Sequence, residues 1–162
     1  MKTLLLVEDD ANDRFLFSIA ITRQLSFSLQ TVTDGQQAIQ YLEGGGEFAD
    51  RAKYPLPDII VLDLKMPNVN GFEFLSWRSA FPSASSIPVV VLEGGGNKDD
   101  HQQAQKMGAI LTYAKPCQLE RLCEIVDEIC TLTDKGFQQS NGLGIIIPQT
   151  ETPQSHPRPP LK

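Results

Sequence analysis

Asp58-Ile59-Ile60-Val61-Leu62-Asp63 is the stretch that decides the architecture. Consecutive aliphatic residues without polar alternation suit a strand covered on both faces, as in a parallel sheet, and the run empties directly onto the carboxylate of Asp63. The same shape recurs on either side. Thr3 to Val7 is an aliphatic run ending in Glu8-Asp9-Asp10, and Val89 to Leu92, introduced by Pro88, ends at Glu93. Leu29 to Val32 and Ile110 to Tyr113 are shorter runs of the same kind, the second leading into Lys115-Pro116.

Helical periodicity fills the gaps. Ala11 to Leu25 places Phe15, Leu16, Ile19 and Ala20 at helical spacing behind Asp10, and Gly35 to Glu43 does the same with Ala38, Ile39 and Leu42. Phe72 to Phe81, the polar Asp99 to Met107 and Gln118 to Leu132 complete the set. Five strand-helix repeats predict an α/β fold with a five-stranded, doubly wound parallel sheet of the flavodoxin-like (βα)5 kind, because right-handed crossovers put helices on both faces. In the last helix Ile125 and Leu132 widen the stripe of Leu119, Leu122, Cys123, Val126, Ile129 and Cys130, which predicts apolar surface left over for a partner, a homodimer with an isologous contact being the default. Gly44 to Pro57 reads as an exposed loop insertion. The domain is expected over residues 1–132. From Thr133 onward Gln, Ser, Gly and Pro predominate, which predicts a disordered tail over 133–162 with one isolated patch, Ile145-Ile146-Ile147.

A chain of 162 residues with 41% apolar content supports one core. Its formal charge of -6, spread along the chain, argues against a nucleic-acid surface. No apolar stretch approaches the roughly 18 residues that span a bilayer, and the N-terminus shows no cleavage site, so a cytoplasmic location without membrane contact is expected. Cys117, Cys123 and Cys130 match neither CxxC nor zinc spacing and read as small apolar residues in a reducing compartment, Cys117 being the one to test for reactivity.

Ligands of an open parallel sheet gather at the carboxyl ends of its strands. Glu8, Asp9, Asp63 and Glu93 end there, with Lys115 opposite. Converging carboxylates repel unless a cation sits among them, and oxygen-only donors point to Mg2+ rather than zinc. A carboxylate that attacks phosphorus needs such a cation, and a lysine to hold a phosphoryl oxygen as the planar transition state forms.

Val7-Glu8-Asp9-Asp10, Val61-Leu62-Asp63-Leu64-Lys65-Met66-Pro67 with Gly71, and Lys115-Pro116 together resemble the receiver domain of two-component response regulators over about residues 3–132. The insertion between Glu43 and Asp58 resembles the small single-domain regulators that accompany bacterial and cyanobacterial phytochrome histidine kinases. The resemblance implies that Asp63 is the phosphoacceptor, Asp9 a direct Mg2+ ligand, and Glu8 the holder of a metal-bound water. It further implies that the Lys65 carbonyl completes the shell and that Lys115 pairs with a phosphoryl oxygen, aimed by Pro116 behind a cis bond. The donor would be a phosphohistidine of a sensor histidine kinase, and the output would pass by contact to a downstream protein. A receiver catalyses its own phosphorylation and dephosphorylation, so the role implied is switching rather than enzymatic turnover.

Two positions depart from that pattern. Glu93 stands where the family carries a Thr or Ser whose hydroxyl meets the phosphoryl group, and an ionised Glu cannot donate to phosphate. Thr112 stands at the strand-5 aromatic position, with Tyr113 facing the other way. Either Glu93 turns outward or pairs with Lys115 and biases the receiver, or phosphorylation persists and only its coupling to output differs; the intact Glu8, Asp9, Asp63 and Lys115 favour the second. Gly94 would let a backbone N–H approach the phosphoryl oxygens. His101 and His156 read as solvent-exposed and Trp77 as packing. Two other functions compete: a pseudo-receiver adaptor that is never phosphorylated, and a Mg2+-dependent phosphohydrolase, which lacks an acid-base Asp two residues after Asp63, where Lys65 stands.

Overall fold

A computed structural model describes residues 1–95 and 97–135. Strands β1 (Lys2–Val7), β2 (Phe27–Val32), β3 (Ile59–Leu62), β4 (Val89–Glu93) and β5 (Ala109–Ala114) form one sheet in the order β2-β1-β3-β4-β5. Every pairing is parallel. Helices α1 (Ala11–Ile21), α2 (Gly35–Glu43), α3 (Gly71–Ala80), the short α4 (Pro82–Ser85), α5 (Lys98–Lys106) and α6 (Leu119–Lys135) make the crossovers. This is the doubly wound, flavodoxin-like arrangement expected from the aliphatic runs. Along β3, Ile59 and Val61 face the layer of α1 and α6, whereas Ile60 and Leu62 face the core under α2 and α3. All four are fully buried, and each such side chain contributes about 1.5–3 kcal/mol by leaving water.

Caps start α1 and α2 where the sequence placed them, and α3, expected from Phe72, one residue earlier. Asp10 accepts from the N–H groups of Asn12 and Asp13 at the head of α1, and Asn70 with Glu73 closes a capping box on α3. Asp34 caps α2 and also accepts from the Asn68 amide at 2.9 Å, which ties the loop after β3 to α2.

Four expectations change. The helix after β1 ends at Ile21, not Leu25, and it buries Phe17, Ala20 and Ile21. Phe15, Leu16 and Ile19 face outward, Phe15 with 64% of its surface exposed. The helix is apolar on two sides, and its packing against α6 and β1 chooses the side that spacing alone misassigned. The insertion is not a free loop: a 3-10 turn at Gly46–Ala49 buries Phe48 against Tyr41 and Tyr54. Arg51 donates to the Tyr41 and Leu42 carbonyls at 2.8 Å each, and the Tyr41 hydroxyl donates to the Pro55 carbonyl. Burial raises the Tyr41 phenol to about 12. In α6, Leu122, Ile125, Val126, Ile129 and Cys130 are all buried and Leu132 is half-buried. That helix therefore spends most of its broad stripe inside the domain, and only Leu119, Cys123 and Leu132 of it stay half-buried. Finally, α6 continues to Lys135, where Thr133 is buried and Lys2 contacts the Thr133 carbonyl at 2.6 Å and Asp134 at 3.0 Å. The rest of the expected tail, with Ile145-Ile146-Ile147 and His156, lies outside the described residues.

Candidate functional site

The carboxyl edge of the sheet assembles the charged groups. Glu8 and Asp9 leave β1, Asp63 leaves β3, and carboxylate oxygens of all three lie within 4.8 Å of one another. Glu8 and Asp63 are buried while Asp9 is exposed. The turn after β1 is held by Arg14, which donates to the carbonyls of Glu8 and Asp9 at 2.8 and 2.7 Å. Below Asp63, Gly71 brings α3 against the strand end: a Cβ there would stand 2.5 Å from the Asp63 carbonyl oxygen and 2.7 Å from Leu64 Cα. Only glycine permits that approach.

Lys115 enters from the end of β5. Its Nζ lies 2.7 Å from Glu8 Oε2, 2.9 Å from Asp13 Oδ2 and 3.1 Å from Asp63 Oδ2. Burial alone would lower its pKa, but the carboxylates around it outweigh that and raise it. Burial pushes Glu8 up to about 7, with Lys115 opposing and Asp63 adding to the rise. Clustered hard oxygen donors, one of them driven towards the protonated form by its surroundings, suit a divalent cation. Glu8, Asp9 and Asp63 are the residues that would hold it.

Glu93 neither turns outward nor pairs through its side chain with Lys115. It is fully buried, accepting from the Gly95 N–H at 2.8 Å with Lys65 Nζ at 3.5 Å and His101 Nε2 at 3.3 Å. Burial raises its pKa, but the Gly95 N–H, Lys65 and His101 together hold it below the usual carboxylate range. His101 is therefore a half-buried partner of Glu93, not a free surface residue. Lys65 donates its backbone N–H to Asp63 Oδ1 at 3.2 Å. Thr112 is half-buried opposite Val91. Tyr113, opposite Leu92, packs into the α6 layer with its hydroxyl buried and no hydrogen-bond partner among the described residues. A Cβ at Gly94 would meet only Lys115 Cδ, at 3.9 Å, so space does not demand glycine there. The Lys115–Pro116 bond is trans, against the expected cis form, and Lys115 reaches Asp63 from it directly. Trp77 stacks on Phe81 at 4.8 Å, as packing.

Asp13 and Arg14 were not among the sequence candidates. Asp13 lies in the first turn of the helix that Asp10 caps, close to the carboxyl edge, and that placement was the available signal.

A family model described as the response regulator receiver domain matches residues 4–127. This chain belongs to the receiver family. Receivers of similar sequence include the response regulator Rcp1 of Synechocystis sp., 32% identical over 129 residues that cover 79% of this chain and 86% of Rcp1. Among solved structures, the phosphorylated cyanobacterial phytochrome response regulator RcpA superposes with a TM-score of 0.72 at 34% identity, covering 79% of this chain and 90% of RcpA. The Mn2+-bound form of Rcp1 gives 0.71 at 28% identity over 89% of this chain and 99% of that one. The receiver thus resembles small regulators of phytochrome signalling, and its Glu8, Asp9, Asp63 cluster fits a divalent metal. No described helix is long and apolar enough to cross a membrane.

Proposed function

We propose that this receiver is a single-domain phosphorelay regulator, phosphorylated on Asp63 by a phosphohistidine of a sensor histidine kinase, phytochrome-like by its resemblances. It would act in the cytoplasm on a downstream protein. The observation that carries the reading is Lys115 Nζ at 3.1 Å from Asp63 Oδ2, beside carboxylates grouped within 4.8 Å. An Asp63 oxygen attacks phosphorus, the bond from phosphorus to the histidine nitrogen breaks, and the imidazole leaves with the electron pair. Bound Mg2+ would supply charge neutralisation for the phosphoryl oxygens. Glu8, Asp9 and Asp63 would hold it, with the Lys65 carbonyl. Lys115, already shared among three carboxylates, exchanges one of them for a phosphoryl oxygen, and Gly94 would offer its N–H on the same edge. Water attack on phosphorus later returns Asp63 and inorganic phosphate.

The donor has a surface to meet. Phe15, Leu16 and Ile19 are exposed on α1, and a shallow hollow between Leu16, Phe17, Leu92, Pro116 and Leu122 adjoins Lys115. An apolar patch flanking the reacting carboxylate suits an approaching helix. Residues 1–132 of the receiver carry every group this reading uses.

Intact-mass spectrometry after incubation with acetyl phosphate and Mg2+ tests it. One added phosphoryl group, absent from Asp63→Asn, is the expected result. Glu93 favours a second reading, an adaptor that is never phosphorylated, and no mass gain in the wild-type chain would establish that reading instead.

A further inference from the structure

We propose that Lys65, Glu93, Asp100 and His101 form an ionic clasp that stands in for a hydroxyl switch, holding α5 closed until a phosphoryl group on Asp63 draws Lys65 away. The inference rests on the phosphoacceptor reading of Asp63.

Glu93 is the unusual member. A carboxylate with no solvent exposure at all is costly unless every oxygen is answered, and its answers here come from groups of unequal permanence. The Gly95 N–H is adjacent main chain, at 2.8 Å. The remaining two partners are side chains. Lys65, whose side chain is 60% exposed, supplies an ammonium at 3.5 Å, and His101 of α5 supplies a ring nitrogen at 3.3 Å. The same Lys65 ammonium lies 3.8 Å from Asp100, in the first turn of α5. One exposed cation thus joins the end of β4 to the head of α5. Gly95 makes the room: a Cβ there would overlap Lys65 Nζ.

The clasp is wired to the proposed site on both sides. The Lys65 N–H is hydrogen-bonded to Asp63 Oδ1, and the Lys115 N–H donates to the Glu93 carbonyl at 2.8 Å. The main-chain bond keeps the strand end fixed, so side chains and α5 are what can move. Phosphorylation turns the Asp63 carboxylate into an acyl phosphate carrying about -1.5 to -2 in place of about -1, and moves that charge outward onto three phosphoryl oxygens. Lys115 gives the phosphoryl group one of its three contacts and stays with the remaining carboxylates, so the further ammonium open to the new charge is the better exposed one of Lys65. Its departure strips Glu93 of its lysine while the new anion repels it. A buried carboxylate left so cannot stay, and it leaves with the helix end it contacts.

The apolar anchorage of α5 is slight. Ala104 is its one buried residue among those described, and a helix with so little apolar anchorage lies at the low-stability end of a domain.

Hydrogen exchange of the full chain, read over residues 98–106 beside the intact mass, tests the clasp. Phosphorylated wild type should exchange these amides faster than the unmodified protein, on the order of tenfold. Unphosphorylated Glu93→Gln should already show the faster rate, and Asp100→Asn, at the other end of the clasp, should move the same way. Mass gain with unchanged exchange over 98–106 would leave the phosphoacceptor reading standing and overturn the clasp. Unphosphorylated Glu93→Gln and Asp100→Asn both exchanging at the wild-type rate would overturn it as well. Absence of mass gain in the wild type would remove the phosphoacceptor reading and the switch together.

Discussion

Replacing Lys115 by Met removes the one cation within 3.1 Å of three carboxylates while keeping most of the side-chain volume. Asp13 is 39% exposed and water takes over its solvation, so the loss concentrates on Glu8 and Asp63, at 4% and 6% side-chain exposure. Stripping one partner from a buried pair costs about 3–5 kcal/mol, and the lower end applies here because Glu8 can keep a proton. Glu8, at about 7 in the folded chain against an ordinary 4.5, weakens the fold as pH rises through that interval, since the unfolded chain releases the proton first. Losing Lys115 raises it further. The variant should therefore lose about 3 kcal/mol, or roughly 10 °C in Tm, at pH 8 in EDTA, and visibly less at pH 6. Added Mg2+ substitutes for the missing cation, contributing about 2.7 kcal/mol at a hundred times its Kd, and should raise the variant's Tm more than that of the wild type. Thermal unfolding followed by circular dichroism at both pH values, with and without Mg2+, reads all of this. Equal stability of variant and wild type in EDTA at pH 8, or an equal Mg2+ shift in both, would refute Lys115 as the group that holds the carboxylates together.

Other perturbations reach different parts of the molecule. Gly71→Ala drives a methyl into the Asp63 and Leu64 backbone, which should cost about 2–3 kcal/mol in urea unfolding and slow phosphoryl labelling by acetyl phosphate. The buried Arg78 donates to the Ile87 carbonyl and, at 2.9 Å, to the Ser85 carbonyl. Arg78→Met orphans both and should cost about 3 kcal/mol, read from the fluorescence of Trp77, the only tryptophan. Cys117 is exposed and should react at once with a thiol reagent, whereas Cys130, 1% exposed, should react only on unfolding. Burial lifts the Cys130 thiol from 9.0 to about 12. The unfolded chain therefore ionises first, and stability should fall by about 1.4 kcal/mol per pH unit from that thiol between pH 9 and 12, a slope that Cys130→Ala removes.

The aliphatic runs of β1, β3 and β4 were legible because a strand buried on both faces is filled almost wholly by aliphatic side chains, so the pattern is local. The acidic residues and lysine at the strand ends were legible for the same reason: the strands announce where they stop. What depended on distant neighbours was not. The side of α1 that packs is settled by α6, about a hundred residues later, and Lys115 meets Asp13 across a separation of 102. The insertion looked free because Arg51 answers carbonyls rather than carboxylates, and no charge pattern betrays such a bond. Glu93 was recognisable as a departure, but its partners in Lys65 and His101 belong to the folded arrangement alone.

The fastening of Lys2 to Thr133 and Asp134 gives the molecule two poles. All strands run in one direction, so Lys135 sits beside the beginning of β1, while Asp63 and Lys115 sit where strands finish, about 20 Å away along a six-residue strand. A fluorophore or affinity handle joined at that root stays clear of the pole that carries Asp63 and Lys115, so events there can be watched without obstructing them.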